Sequence, residues 1–458
     1  MTSTDRSRDS HPSADEVRDL FLSSWAPEAE SPAVRHLLDR CPVCTEAATG
    51  MWSGDCAAAH DDESSRGQAA GCRGLAEAAF DAVFHRVRDS VVRAQADLAA
   101  ERDDARRILA RLLGQPLERQ LILVSNSRRY QTWSVCELLL GEAWAWRFKE
   151  PRRTEARYRV ALAVSAGLPV ERYGVELVQD LRARCWIGLA NGLRILGDLR
   201  GAQTALIEAQ RLLVAGTGNP LERAGWLDIR ASVLIAQRKY REAEECIGRA
   251  IQIYFRLGER HALGSALLKR GIISDLIEHV ERAIVLTRTG LELVEPERDS
   301  SLALAGWLNL IHSMHTAGRD RDALAALAQS RPLYLRSDDR TTVLRFQWLE
   351  GSVAAALGRD DQAEGCLREA RDGFVQLGVE FAAARVSLEL AGVLCRQGRT
   401  AEVARLAMEM IAIFESRESG QDTLAAFILL RQAAERERIT EALLKRLTGS
   451  VREPRARG

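Results

Sequence analysis

From Val135 to Gly420 the apolar and small residues fall on a helical pattern, and the helices themselves recur in pairs. Aligned on the small residue that follows each turn, the chain reads Ala202, Ala243, Ala283, Ala323, Ala363 and Val403, spaced by 41 and thereafter by 40 residues. A weaker unit sits upstream at Ala156. Sixteen positions before the anchor a first helix carries an apolar or Trp residue, as at Trp186, Leu227, Leu267 and Trp307. A turn follows, where Gly197, Gly318, Gly358 and Gly398 tolerate the positive φ at which a helix stops. A second helix then begins. This grammar predicts antiparallel helical hairpins of about forty residues, each stacked on the next.

Small residues also recur twelve before and seven after each anchor. The pairs are Ala190/Ala209, Ala231/Ala250, Gly271/Gly290 and Gly351/Ala370, with Ser330 alone in the fifth unit and Ala391 alone in the last. Ten of these twelve positions are Ala, Gly or Ser, although those residues make up only 128 of 458 in the chain. Such an excess marks places where two helices approach closely.

The pattern of Trp186, Leu189, Ala190, Gly197, Ala202 and Ala209 resembles the tetratricopeptide repeat. The resemblance covers residues 136–420, with units about six residues longer than usual. Tyr240 alone keeps the family's turn aromatic. It implies an all-α, right-handed solenoid whose first helices line a concave groove for a peptide or partner helix. On that register the groove positions are Arg184, Asn191 and Arg194, then Asp228 and Ser232, Lys269, Asn309 and His312, and Arg345. Asn191 and Arg194, three apart on one face, suit a peptide backbone and a carboxylate. Ile187 stands where the family's carboxylate clamp has Lys, which argues against binding chaperone C-termini.

Composition agrees with an all-helical protein: 46% hydrophobic residues, 11 Pro and long Ala/Leu/Arg/Glu stretches. No apolar run approaches the about 18 residues of a membrane span, and the N-terminus shows no apolar targeting segment, so a cytoplasmic protein is expected. The chain carries 64 basic and 64 acidic side chains, and residues 1–72 have a net charge of −7, which gives no argument for nucleic-acid binding. Arginine outnumbers lysine 60 to 4, a skew that reads either as recognition of carboxylates and phosphates or as codon usage.

The most chemical stretch lies near the N-terminus. Cys41-x2-Cys44 is a turn that brings two thiolates onto one zinc ion, and His36 and His11 precede it at a spacing His11-x24-His36-x4-Cys41. Ser31-Pro32 opens a short helix ending near His36, and Val17, Leu20 and Phe21 give the preceding helix an apolar face. This arrangement resembles the zinc-binding anti-sigma domain, a Cys or His followed at similar distance by His-x3-Cys-x2-Cys. It differs by one extra residue between His and Cys, and by His at the first position. The resemblance implies a structural zinc on His11, His36, Cys41 and Cys44. A rival ligand set is Cys41, Cys44, Cys56 and His60, although residues 53–74 read as linker. The remaining cysteines are scattered and read as small core residues.

Between module and array, Phe80, Phe84, Val87, Val91, Ala94 and Leu98 form a coiled-coil-like seam that Glu101 breaks. It suits either packing on the first repeat or a homodimer contact. No phosphate-binding loop, His-Glu-x-x-His or Gly-x-Ser-x-Gly motif is present, and His312 and His315 lack a nearby full ligand set, so an enzyme is not expected. The expected organisation is a disordered 1–10, a zinc-finger module at 11–50, a flexible linker at 51–73, connector helices at 74–135, the array at 136–448 and a tail at 449–458. The function expected is a protein-interaction scaffold. The alternative is an anti-sigma-like transcription regulator that grips a sigma factor through residues 11–115.

Overall fold

The computed structural model describes residues 11–22, 32–39, 41–53, 95–97, 99–415, 421–435 and 439–451. Among the described residues every regular element is a helix. The seam residues Phe80 to Leu98 named above, and with them the homodimer contact, lie outside the described residues, as do Cys56, His60 and residues 1–10. No described helix is long and apolar enough to cross a membrane.

Three short helices open the chain: α1 (Ala14–Leu22), α2 (Pro32–Leu38) and α3 (Pro42–Ser53). A reciprocal cap starts α1, since Glu16 N–H donates to Ser13 Oγ at 3.2 Å and Ser13 N–H donates to Glu16 Oε2 at 2.7 Å. Proline stands first in α2 and α3, where a missing N–H costs nothing. The third helix runs to Ser53, past the boundary expected at residue 50.

Next come α4 (95–97 and 99–113), α5 (Leu117–Asn126), α6 (Trp133–Trp146), α7 (Pro151–Ala166), α8 (Val170–Tyr173), α9 (Val175–Ile195), α10 (Leu199–Val214), α11 (Pro220–Ala236) and α12 (Tyr240–Arg256). After them lie α13 (Arg260–Leu276), α14 (Val280–Leu293), α15 (Ser300–Thr316), α16 (Asp320–Tyr334), α17 (Arg340–Ala356), α18 (Asp360–Gln376), α19 (Glu380–Arg396), α20 (Thr400–Glu415), α21 (Gln421–Glu435) and α22 (Glu441–Ser450). The expected hairpins are therefore formed, from α6/α7 through α19/α20. The chain divides into two compact units, residues 49–259 and residues 1–48 together with 260–458.

In the unit of residues 49–259, α4 packs its Leu109 and Leu112 into a core with Val124, Val135, Leu139, Val164 and Leu181. Glu101, which interrupts the apolar seam, has a structural task there. Its carboxylate accepts from Ser134 N–H at the start of α6 at 2.9 Å and from Tyr173 Oη at 2.8 Å, and pairs with Arg172 at 2.7 Å. Further along, a Cβ at Gly188 would collide with the ring of Tyr158, which is 1% exposed.

In the other unit α13 and α14 meet backbone to backbone. A Cβ at Gly264 would lie 2.8 Å from the Gly290 carbonyl oxygen, and one at Gly290 would lie 2.9 Å from that of Gly264. Backbone meets backbone there, so neither side can yield by rotating a side chain. Farther along, Leu344, Leu367, Phe374, Leu388, Leu390 and Phe414 belong to one continuous core.

The turns follow a single rule. Five residues before every anchor the backbone enters the left-handed region: Gly197 (φ 86°), Arg238 (61°), Glu278 (66°), Gly318 (71°), Gly358 (72°) and Gly398 (75°). The next residue's N–H then reaches back five positions, as Asp198 to Leu193 (2.9 Å), His279 to Ser274 (2.8 Å) and Arg319 to Met314 (2.8 Å). Two units thus make the turn without glycine, against a preference of about 1–2 kcal/mol for an L residue.

A charge network ties α18 to α20. Arg399 donates to Glu364 and Glu402 at 2.6 Å each, and Arg368 joins both carboxylates at 2.9 Å. Burial alone would raise Glu364, but its bonds from Arg368 and Arg399 outweigh it and hold the carboxyl below its ordinary value; the bond from Arg399 does the same for Glu402.

Two outcomes are expected. Gly290→Val should destabilise the chain by about 1–3 kcal/mol, read as a lower urea midpoint. Because both carboxyls titrate lower in the folded state, their contribution is full above the ordinary value of 4.5 and is lost as pH falls through the lowered values. Glu364→Gln with Glu402→Gln should therefore flatten the loss of thermal stability below pH 4.5.

Candidate metal centre

The end of α2 is where the chemistry gathers. Cys41 N–H donates to the His36 carbonyl at 2.9 Å, wrapping the chain back over α2 before α3 starts. His11, just ahead of the capped start of α1, closes the group from the other side. His11 Nδ1 lies 3.3 Å from Cys41 Sγ and 4.0 Å from Cys44 Sγ, and His36 Nδ1 lies 3.6 Å from Cys44 Sγ. One ligand atom from each of the four residues lies within 4.8 Å of every other, the only such group of His, Cys, Asp and Glu among the described residues. A tetrahedral zinc, with bonds of about 2.0–2.3 Å, sets its ligand atoms about 3.3–3.8 Å apart. Two imidazoles and two thiols are the donor types zinc takes, and their separations fall within or somewhat above that range. Cys44 is buried at 1% exposure, His36 and Cys41 are half-buried and His11 is exposed, so the group is open on the His11 side.

The thiols differ. The Cys44 backbone N–H draws the Cys41 thiol below its ordinary value, and burial pushes the Cys44 thiol up to about 11. A bound divalent cation is what makes two neighbouring thiolates tolerable.

The module carrying this group is seated on repeat helices of its own unit. Arg270, on α13 and 0% exposed, donates from Nη1 to the Phe21 carbonyl at 2.6 Å and approaches the Leu20 carbonyl at 3.5 Å. Arg288, on α14, donates to the Leu37 carbonyl at 3.2 Å, and Arg319, at the start of α16, donates to the Leu38 carbonyl at 3.2 Å. These are last-turn carbonyls of α1 and α2, which lack partners inside their own helices and carry the negative end of the helix dipole. Val17, Leu20, Phe21, Leu37 and Leu38 are all buried beside them.

Sequence reasoning missed these arginines, though a signal was there. Thirteen positions before the anchor the repeats read Leu189, Arg230, Arg270, Leu310, Glu350 and Leu390. A charge in a leucine column needs an acceptor, and for Arg270 the acceptor comes from α1. Arg230, in the same column, stacks on Trp226 at 5.0 Å beside a cleft of about 430 Å³ also lined by Arg223 and Arg249.

The projected groove residues fall into two groups, one in each unit. In residues 49–259, Arg194 donates Nε and Nη2 to Asn191 Oδ1 at 3.1 and 2.9 Å, and Asn191 is 4% exposed. The Asn191 side-chain oxygen is thus taken up inside the repeat by two of the five N–H groups of Arg194. Arg184 pairs with Glu222 at 3.2 Å, and Asp228 is half-buried, its carbonyl accepting from Ser232 Oγ at 3.2 Å. In the other unit Lys269 and Asn309 are half-buried, while His312 and Arg345 are exposed. His315 bonds Asp320 at 2.6 Å.

No family model and no curated protein matches the chain. Among solved structures it is similar to a Rap protein complexed with competence and sporulation factor, at 14% identity and a TM-score of 0.49, over 68% of this chain and 85% of that one. It is similar to the apo form of RapI at 17% identity and a TM-score of 0.43, over 62% and 99% of the two chains. It is also similar to BtubC (BKLC) from P. vanneervenii at 18% identity and a TM-score of 0.40, over 53% and 92%. None of these likenesses carries the functional reading below.

Arg194→Ala should leave the buried Asn191 oxygen without its donors and cost about 1–3 kcal/mol in urea unfolding. Arg345→Ala, at an exposed position, should cost less than about 0.5 kcal/mol in the same measurement.

Proposed function

We propose that this chain is a non-enzymatic protein-interaction scaffold, in which a hairpin array binds polypeptide and a structural zinc ion on His11, His36, Cys41 and Cys44 holds the N-terminal module. One observation carries the reading. The helices α13, α14 and α16 already hold a polypeptide that is no part of the repeat, by arginine bonds to its main-chain carbonyls and by burial of its apolar side chains. A surface that takes a backbone in this way is suited to protein partners, because carbonyls at helix ends occur in every helical protein.

The zinc reading is supported by the N2S2 donor set and its separations. Zinc would hold together a module too small to keep a core by itself. The reading as an anti-sigma-like regulator uses the same module. It is the less favoured, because part of that module's surface, the carbonyl ends of α1 and α2, is engaged by Arg270, Arg288 and Arg319.

Metal analysis of the purified chain should give about one zinc per molecule. Cys41→Ser with Cys44→Ser should abolish it, His11→Ala should weaken it, and Cys56→Ala should leave it unchanged. Zinc loss in Cys56→Ala with retention in His11→Ala would hand the site to the rival ligand set. Affinity capture with the full chain tests the scaffold. A protein partner retained without residues 11–115 supports it, a sigma factor captured only with those residues supports the regulator, and the absence of any stoichiometric partner overturns both.

A further inference from the structure

The arginine-bearing face of α13, α14 and α16 is more than a place where the module happens to rest. In three of six repeats the column of Arg270 is leucine, at Leu189, Leu310 and Leu390, and an array with leucine there closes on itself. Arg270 instead buries a guanidinium at 0% exposure, a position that is unfavourable unless carbonyl oxygens face it. Those oxygens come from Phe21 and Leu20, some 250 residues away in sequence. Two further arginines, both half-buried, donate to the Leu37 and Leu38 carbonyls: Arg288, and Arg319, which also pairs with Asp322 at 2.7 Å. Three cations on separate elements thus meet the negative ends of two helices, and the guanidinium fork suits paired carbonyls better than an ammonium would.

The occupant fits only in one internal arrangement. Helix α1 has nine residues and α2 seven, too short to hold their mutual angle by their own contacts. The four-ligand group spans this gap: His11 precedes α1, His36 lies on α2, and Cys41 and Cys44 open α3. An ion bound there fixes where the carbonyl ends of α1 and α2 lie relative to each other. Without it, ordering two loose helices onto three fixed arginines opposes docking.

We propose that the face formed by Arg270, Arg288 and Arg319 is a receptor for helix C-terminal carbonyls, that the N-terminal module is its resident occupant, and that the module's metal keeps it seated. The inference rests on the zinc reading above. Loss of metal then unseats the module from Arg270, Arg288 and Arg319.

The test uses the full chain, with zinc and after chelation, labelled with phenylglyoxal and read by peptide mass spectrometry alongside zinc content. With zinc, Arg270 should resist labelling; without it, Arg270 should label at least about tenfold faster. Arg230, half-buried in the same column and stacked on Trp226, should label equally in both states. In zinc-loaded Arg270→Leu, which restores the residue of the neighbouring repeats, hydrogen exchange across residues 14–22 should rise while zinc content stays the same. One zinc bound, with Arg270 equally protected after its removal, overturns the inference and leaves the metal site standing. No zinc bound overturns the metal reading itself. A matching rise at Arg230 means that the array unfolds rather than opens, and unchanged exchange in Arg270→Leu removes the arginine seat; either overturns the proposal.

Discussion

Close approach of paired helix backbones is the constraint on which the rest depends. At α13/α14 it is direct, with each glycine of the Gly264 and Gly290 pair facing the other's carbonyl oxygen. Where helices touch by backbone, their separation is set by covalent geometry and not by adaptable side chains. The elements that carry Arg270 and Arg288 are this same pair, so the two guanidiniums are held at a spacing that a soft, leucine-packed interface would not define as sharply.

That rigidity gives the buried arginine its meaning. A guanidinium inside a leucine column is a liability in an array read by itself, and becomes a recognition group once a helix end supplies carbonyls. The His/Cys group lies on the module's side of the same contact. It stands where α1, α2 and α3 come together, and its donors come from segments too short to organise themselves. Arginines of the array and helix ends of the module meet in that contact.

The arginine excess also gains a physical content that composition leaves open. Arg399 and Arg368 bind two carboxylates each, Arg194 takes one amide oxygen with two nitrogens, and Arg270 addresses two carbonyls. Arg399, Arg368 and Arg194 use two nitrogens of one planar group, a fork that lysine lacks, whereas Arg270 reaches both carbonyls from Nη1.

The repeat, its length and its small-residue columns were legible in the sequence, because they follow from helix period and from the volume at a contact, both local properties. Four of the six left-handed turns were marked by glycine, whereas Arg238 and Glu278 make the same turn unannounced, since tertiary packing overrides a preference of about 1–2 kcal/mol. The four candidate ligands were legible from residue type and spacing; their convergence within 4.8 Å is a matter of the fold. Only the tertiary structure decided that Arg194 donates to Asn191, and that Arg270 meets Phe21. The physical reason is that a charged side chain's partner is chosen by distance in space. Across some 250 residues of chain, only the completed fold sets that distance.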